Sequence, residues 1–153
     1  MFLIVAGRTA PNRETVTLAD YRIRHGRYRQ DPDLALLHAS VPFLCMWDDH
    51  ESANDAWRNG AENHDSTRQG SWTARKAASA QAYFEWLPVR PSGTDSHKLY
   101  RRLGFGRLAE LIVPDLRSYR DEKPSVTDFP TIDDPQRSLL GAEQYRWLET
   151  SVT

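Results

Sequence analysis

A short apolar segment that ends abruptly in four polar residues limits the fold of this chain more than any other feature. Residues 41–47 read VPFLCMW, and residues 48–51 read DDHE. An apolar run this short, preceded by a helix-type pattern, is typical of a buried strand covered on both faces, as in parallel sheets. The segment therefore predicts a layered domain in which a strand carries polar groups to the edge of a sheet.

Two helices are predicted before this strand. Thr17 is a suitable N-cap for a helix over residues 18–29. Asp31 followed by a proline is a favourable start for a second helix. We expect the second helix to bury one side through three leucines, Leu34, Leu36 and Leu37.

The rest of the chain alternates between regular elements and long polar loops. The loops are predicted over residues 48–70 and 114–137. The regular elements are a helix capped by Ser71 and stopped by Pro88, two tightly joined strands over 98–105 and 107–113, and a closing helix over 139–150. Because strands and helices alternate, the pattern favours a single α/β layered domain.

Bulk composition excludes several classes of partner. The 153 residues carry a net charge of −1, which gives no signal for nucleic-acid binding. No apolar run approaches the length of a membrane span. The opening MFLIVAG is not followed by the pattern of a signal peptide, so none is predicted. Localisation and oligomeric state are not predicted.

The DDHE residues have two interpretations as chemistry. Asp48, Asp49 and Glu51 offer hard oxygen ligands that suit Ca²⁺, Mg²⁺, Mn²⁺ or iron, and His50 could ligate the metal or donate a proton. Adjacent carboxylates repel each other, so we expect a cation or an arginine to neutralise them. In the alternative interpretation, an aspartate caps the next turn and His50 orders the loop.

Weaker candidates lie further along the chain. His64 is a possible neighbour of a metal ligand, although ordering of its loop is the favoured role. Asp115, Arg117 and Arg120 follow a predicted strand and could line an anion pocket. A buried ion pair between Asp115 and a neighbouring arginine is an equal alternative.

Longer stretches of the sequence resemble a known family. The segment VTLADYRIRHGRYRQDPDLALLHASVPFLCMWDDHESANDAWRNGAENHD resembles the PhoD-like alkaline phosphatases, a branch of the calcineurin-like metallophosphoesterases. RKAASAQAYFEWLPVR, LYRRLGFGRLAELIVPDLRSYRDE and DPQRSLLGAEQYRWL are similar to further segments of that family, in the same order. The resemblance covers nearly the whole chain and implies a metallophosphoesterase-type α/β/β/α sandwich.

The resemblance also implies an activity and roles for individual residues. Its members hydrolyse phosphate monoesters, and often diesters, at a metal centre, with iron and calcium as the implied metals. DDHE stands where the wider superfamily has a Gly-Asn-His-Asp/Glu motif, which makes Asp49 a metal ligand and His50 a catalytic residue. Asn54 is then expected to orient the site or the phosphate. Asp48 and Glu51 are expected to support the loop.

Two elements of the family are not found in this sequence. The family has a Gly-Asp-x-x-Tyr element and a cysteine ligand upstream, and a Gly-Asp-x-His element downstream. The resemblance therefore implies that residues 1–153 are the central part of one catalytic domain without its N-terminal and C-terminal portions. We expect such a segment to bind metal weakly and to have weak or no activity alone.

Three functions stay open from the sequence. The first is a metal-dependent phosphatase that acts on a phosphate ester. The second is a non-catalytic remnant or binding module that uses a surface rich in tryptophan and arginine. The third is a phosphodiesterase of phospholipase D type, since loop changes shift substrate choice within a fold.

Overall fold

The computed structural model describes residues 10–93 and 97–153. The opening MFLIVAG, on which the prediction of no signal peptide rests, lies outside the described residues. The elements are α1 Leu18–Arg29, α2 Pro32–Ser40, α3 Ser66–Gln69, α4 Trp72–Trp86, β1 Arg101–Phe105, β2 Ala109–Val113, α5 Phe129–Ile132 and α6 Gly141–Val152. This mixture of helices and strands confirms the α/β class.

The predicted helices form where their caps place them. The Thr17 hydroxyl accepts a hydrogen bond from the Asp20 N–H, and the Asp20 carboxylate accepts one from the Thr17 N–H, which completes a capping box. Asp31 caps α2, and Ser71 caps α4 through the Ala74 N–H. The closing helix starts at Gly141, two positions later than expected.

The main packing contact joins α1 and α4. Tyr21 of α1 and Tyr83 of α4 are buried, and Arg22 pairs with Glu85 across the outer side at 2.6 Å. Gly26 allows this close approach, since a Cβ there would lie 3.3 Å from the Trp86 ring. The long helix therefore rests against the first one and fixes the loops that leave both.

The two predicted strands form an antiparallel hairpin. Arg101 lies opposite Val113 and Phe105 opposite Ala109. Among the described residues this is a two-stranded sheet, so the four-layer sandwich implied by the resemblance stays an expectation. No helix in the described part of the chain is long and apolar enough to cross a membrane.

The prediction of a buried strand over residues 41–47 is wrong. These residues are extended coil without sheet pairing in the described part of the chain, and Leu44 is 57% exposed. A strand requires a partner for its backbone groups, and here the Cys45 carbonyl instead accepts a hydrogen bond from the Arg101 guanidinium at 2.7 Å.

The predicted burial of α2 is also wrong in part. Leu34 is half-buried, whereas Leu36 and Leu37 are exposed. The helix has its expected cap but packs mainly against α1, and the other side of the helix meets solvent. Two of the three leucines of α2 are therefore not buried by contacts within the described residues.

Candidate functional site

The loop that follows residues 41–47 folds around Asp49. The Asp49 carbonyl accepts hydrogen bonds from the Ser52 and Ala53 N–H groups at 2.9 and 2.8 Å. One oxygen of its buried carboxylate accepts the Asp55 N–H at 2.6 Å. Asp55 itself has φ +51°, a left-handed conformation that aspartate tolerates better than most residues. The side chain of Asp49 therefore closes the loop.

His50 and Asn54 face each other in this loop. His50 Nε2 lies 2.8 Å from Asn54 Oδ1. The amide nitrogen of Asn54 donates to Glu62, which assigns the Asn54 oxygen to the histidine. An amide oxygen can only accept, so Nε2 of His50 carries a proton in this contact. Asn54 thus fixes the orientation of an exposed imidazole ring.

Arg117 neutralises the acidic loop. Its Nε lies 2.5 Å from an Asp48 oxygen, and its terminal nitrogens lie 3.9 Å from Asp49 and 3.7 Å from Asp55. The expected neutralising group is therefore an arginine from the segment after β2. Sequence reasoning identified Arg117 as a candidate anion-binding residue but could not assign it to these carboxylates.

Asp55 is held by two further cations. Lys123 and Arg120 donate to its two oxygens at 3.0 and 3.1 Å. Hydrogen bonds from Lys123 and then Arg120 hold the pKa of the Asp55 carboxyl below its usual value. The loop after β2 therefore contacts the DDHE loop at several charged points.

Asp115 is a fully buried carboxylate with a positioning role that sequence reasoning missed. It accepts the indole N–H of Trp47 at 2.8 Å and the backbone N–H groups of Arg117 and Ser118 at 2.9 and 2.8 Å. Among the described residues Asp115 forms no ion pair with an arginine, so that alternative is wrong. The Arg117 guanidinium pairs with Asp48 instead. Asp115 thereby joins the segment before DDHE to the segment that supplies Arg117.

The other predicted residues have local roles. Glu51 accepts the Asp48 N–H at 2.9 Å and closes the turn between them. His64 lies 3.4 Å from the buried Arg75 guanidinium and 3.2 Å from the Ser66 hydroxyl, which is the favoured loop-ordering role.

Two clefts border the DDHE loop, and Glu51 lines both. One, of about 280 Å³, contains His50 together with Arg24 and His25 of α1. The other, of about 260 Å³, is lined in part by aromatic side chains and contains Trp47 and Arg117. Each of the two clefts beside the acidic loop therefore contains cationic and aromatic side chains.

In the described part of the chain, the donor atoms around Asp49 are too few, and too engaged, for a metal ion. Asp49 has one oxygen engaged by Asp55, and the Asn54 oxygen is engaged by His50. Within residues 10–93 and 97–153, no group of three or more His, Cys, Asp or Glu side chains is arranged to hold a metal. Since Ca²⁺ takes roughly six to eight oxygen ligands, these residues do not fit a metal by themselves.

Comparisons with known proteins point to one family. A family model described as PhoD-like phosphatase matches residues 3–153. The chain is 40% identical over 149 residues to alkaline phosphatase D of Bacillus subtilis (strain 168), an alignment that covers 92% of this chain and 25% of that protein. A solved structure described as PhoD matches with a TM-score of 0.80 and 38% identity, covering 95% of this chain and 29% of the solved one. The chain thus spans less than a third of the length of either relative.

Proposed function

Since this chain belongs to the PhoD-like phosphatase family, we propose that it takes part in the hydrolysis of phosphate esters, both monoesters and diesters. The observation that carries the proposal is the hydrogen bond between His50 and Asn54, at 2.8 Å, in the loop that carries the family resemblance. An exposed imidazole with a fixed ring is suited to acid catalysis.

His50 is proposed as the proton donor to the leaving group. Water attacks phosphorus and its protons stay with the phosphate product, while the bond from phosphorus to the ester oxygen breaks. A His50 ring protonated on both nitrogens transfers its Nδ1 proton to that ester oxygen, because its Nε2–H is engaged by Asn54. Asn54 keeps the ring in place during the transfer. Arg24, in the same cleft as His50, is proposed to bind the phosphoryl oxygens, where a guanidinium forms strong charge-assisted hydrogen bonds.

Asp49 is proposed as one metal ligand, in line with the resemblance. Its buried carboxylate directs one oxygen to the Asp55 N–H and the other toward Arg117. Iron and calcium are the proposed metals. In a longer protein that supplies the remaining ligands, removal of the carboxylate in Asp49→Ala should lower bound metal, measured by elemental analysis, together with the rate of hydrolysis.

A leaving-group series tests the role of His50. Hydrolysis of p-nitrophenyl phosphate and of an alkyl phosphate would be measured for this chain, with calcium and iron added, and for His50→Gln. Proton donation contributes about 10²–10⁴-fold, so the variant should lose at least about 100-fold on the alkyl ester. The loss should be smaller on p-nitrophenyl phosphate, because nitrophenolate departs without a proton.

His38→Gln is the matched control, since His38 lies on α2 and stacks on Phe43 at 4.0 Å. It should retain the rate of the unmodified chain. An equal rate in His50→Gln and the unmodified chain, or an equal loss on both esters, would exclude the proposed role. Absence of turnover from the unmodified chain is the outcome expected of a central segment alone, and it would agree equally with the alternative of a non-catalytic remnant or binding module.

A further inference from the structure

An aromatic cleft lies next to the DDHE loop and has no part in the proposed reaction. The tryptophan cleft, as we call it, is lined by Trp47, Trp57, Trp72, Lys76, Arg117 and Tyr119, among others. Its volume is about 260 Å³. An apolar cavity of ~150 Å³ is enough to admit benzene, so a six-membered ring fits in this space.

Trp47 forms a rigid wall of the tryptophan cleft. Its indole N–H donates to the buried Asp115 carboxylate at 2.8 Å. Its ring also packs edge-on against Tyr83 and Phe84, with centroids 5.2 and 5.8 Å away. Because the Trp47 side chain is already fixed by a hydrogen bond and by ring packing, it loses little conformational freedom when a ligand binds.

Trp57 and Trp72 form further walls. The backbone N–H of Trp57 donates to the Gly60 carbonyl at 2.8 Å. The Trp57 ring covers Gly60 so closely that a Cβ on Gly60 would lie 2.6 Å from Trp57 Cζ2. Trp72 packs in a buried cluster with three alanines, Ala53, Ala56 and Ala61. The Trp72 indole N–H is buried with no hydrogen-bond partner among the described residues, so a ligand acceptor could satisfy it.

The charged groups at the cleft have partners of their own and include the acidic Glu51. Lys76 donates to the Ser118 carbonyl at 2.8 Å and lies over the Tyr119 ring. Arg117 links the cleft to the acidic loop through Asp48. The aromatic walls, rather than these charges, are therefore expected to select the ligand. Glu51 lines both clefts, so a ring in the tryptophan cleft lies beside a phosphate bound in the His50 cleft.

We infer that the tryptophan cleft binds the aromatic group of an aryl phosphate ester. The inference rests on the proposed function only in taking the ring to be part of the substrate. The residues that would determine specificity are Trp57, with its contact to Gly60, and Trp72. Substrates with a planar ring next to the phosphate would then be preferred over alkyl esters of the same charge.

A binding comparison without turnover tests the inference. Phenylphosphonate and methylphosphonate carry the same anionic group and differ in the ring. Calorimetric titration of the unmodified chain should give a dissociation constant about 10-fold or more lower for phenylphosphonate. Equal affinities, or no binding of either, would overturn the inference and require no variant that risks misfolding.

Two glycine variants locate the binding. Gly60→Ala drives a methyl group into the Trp57 ring and should remove the preference for phenylphosphonate. Gly104→Ala is the control, because a Cβ at Gly104 meets nothing within 4 Å, and it should retain the preference. Trp57→Leu removes the indole ring without crowding the cleft and should also remove the preference for phenylphosphonate. Persistence of the preference in both cleft variants would contradict the assignment.

The outcomes separate this inference from the proposed function. Selective phenylphosphonate binding with hydrolysis that is independent of His50 would leave the cleft assigned and the function refuted. His50-dependent hydrolysis with equal affinities for the two phosphonates would support the proposed function and refute the assignment of the cleft.

Discussion

Asp20 and Tyr83 are both buried but differ in how their polar atoms are satisfied. Asp20 accepts hydrogen bonds from Thr17, Val16 and Arg13. The Tyr83 hydroxyl has no partner among the described residues, and burial raises its pKa above the usual range. Burial alone would raise the pKa of Asp20, but its hydrogen bonds outweigh that effect and lower it to about 2.

The Asp20 carboxylate should make stability depend on acid. Its folded pKa of about 2 lies below the ordinary 3.8, so its stabilisation is complete above about pH 4 and is lost as the pH falls toward 2. Relative to Asp20→Asn, the unmodified chain should be more stable by roughly 2 kcal/mol at pH 6. Urea unfolding at several pH values should show this difference shrinking between pH 4 and 2, and a constant difference would refute the linkage.

Tyr83→Phe should leave stability unchanged or raise it by up to about 1 kcal/mol, because it removes an unsatisfied buried hydroxyl. Tyr21→Phe is the contrasting variant, since the Tyr21 hydroxyl donates to the Ser52 carbonyl at 2.6 Å and accepts from Arg75 at 3.2 Å. It should cost about 1–3 kcal/mol in urea unfolding. Similar losses in both variants would mean that the Tyr83 hydroxyl has a partner.

Residue roles were predictable where their partners are close in sequence. The caps at Thr17, Asp31 and Ser71 use N–H groups within three positions, so the sequence alone identifies them. The contact of Arg117 with Asp48 and that of Asp115 with Trp47 each join residues more than sixty positions apart along the chain. Only the fold brings these groups together, so their contacts could not be deduced from spacing.

At the scale of elements, the hairpin and the four longer helices were predicted correctly, whereas the strand predicted over residues 41–47 is absent. The short helices α3 and α5 lie in segments that were predicted as loops. A helix satisfies its backbone internally and a hairpin pairs with its own neighbour, so short-range patterns suffice for both. A central strand depends on partners that local sequence does not specify. The apolar composition of residues 41–47 therefore indicated burial without showing what would pair with it.

The junction between β2, α6 and the DDHE loop depends on Asp115. Gln144 of α6 accepts the Asp115 N–H at 2.6 Å and donates to its carbonyl at 2.8 Å. Asp115→Ala would leave three half-buried N–H groups without an acceptor and should cost about 3 kcal/mol, measured by thermal or urea unfolding. Asp133→Ala, at an exposed position, should change stability by less than about 0.5 kcal/mol.

At the scale of the whole molecule, apolar side chains are concentrated at the surface over α2 and the segment after it. Leu36 is 67% exposed, and Leu37, Val41 and Leu44 are also exposed. Contiguous apolar surface promotes association in water. The chain should bind the dye ANS in its folded state and should form larger species at high concentration in light scattering.

The double variant Leu36→Lys with Leu44→Lys tests this surface. It should reduce dye binding and association while leaving the melting temperature within a few degrees, since neither side chain is buried. Val126→Lys is the control, because Val126 is equally accessible but lies in the loop after β2. An equal reduction in Val126→Lys would assign the dye binding to general surface charge instead.

The hairpin of β1 and β2 has a kinetic consequence. Each strand pairs with the other along five residues, and in the described part of the chain neither pairs on its outer side. In an antiparallel pair, successive amide groups point alternately toward the partner and away from it. Amide hydrogens along the hairpin should therefore exchange with solvent deuterium at rates that alternate between slow and fast from one residue to the next. This two-residue period is set by the backbone and not by the side chains.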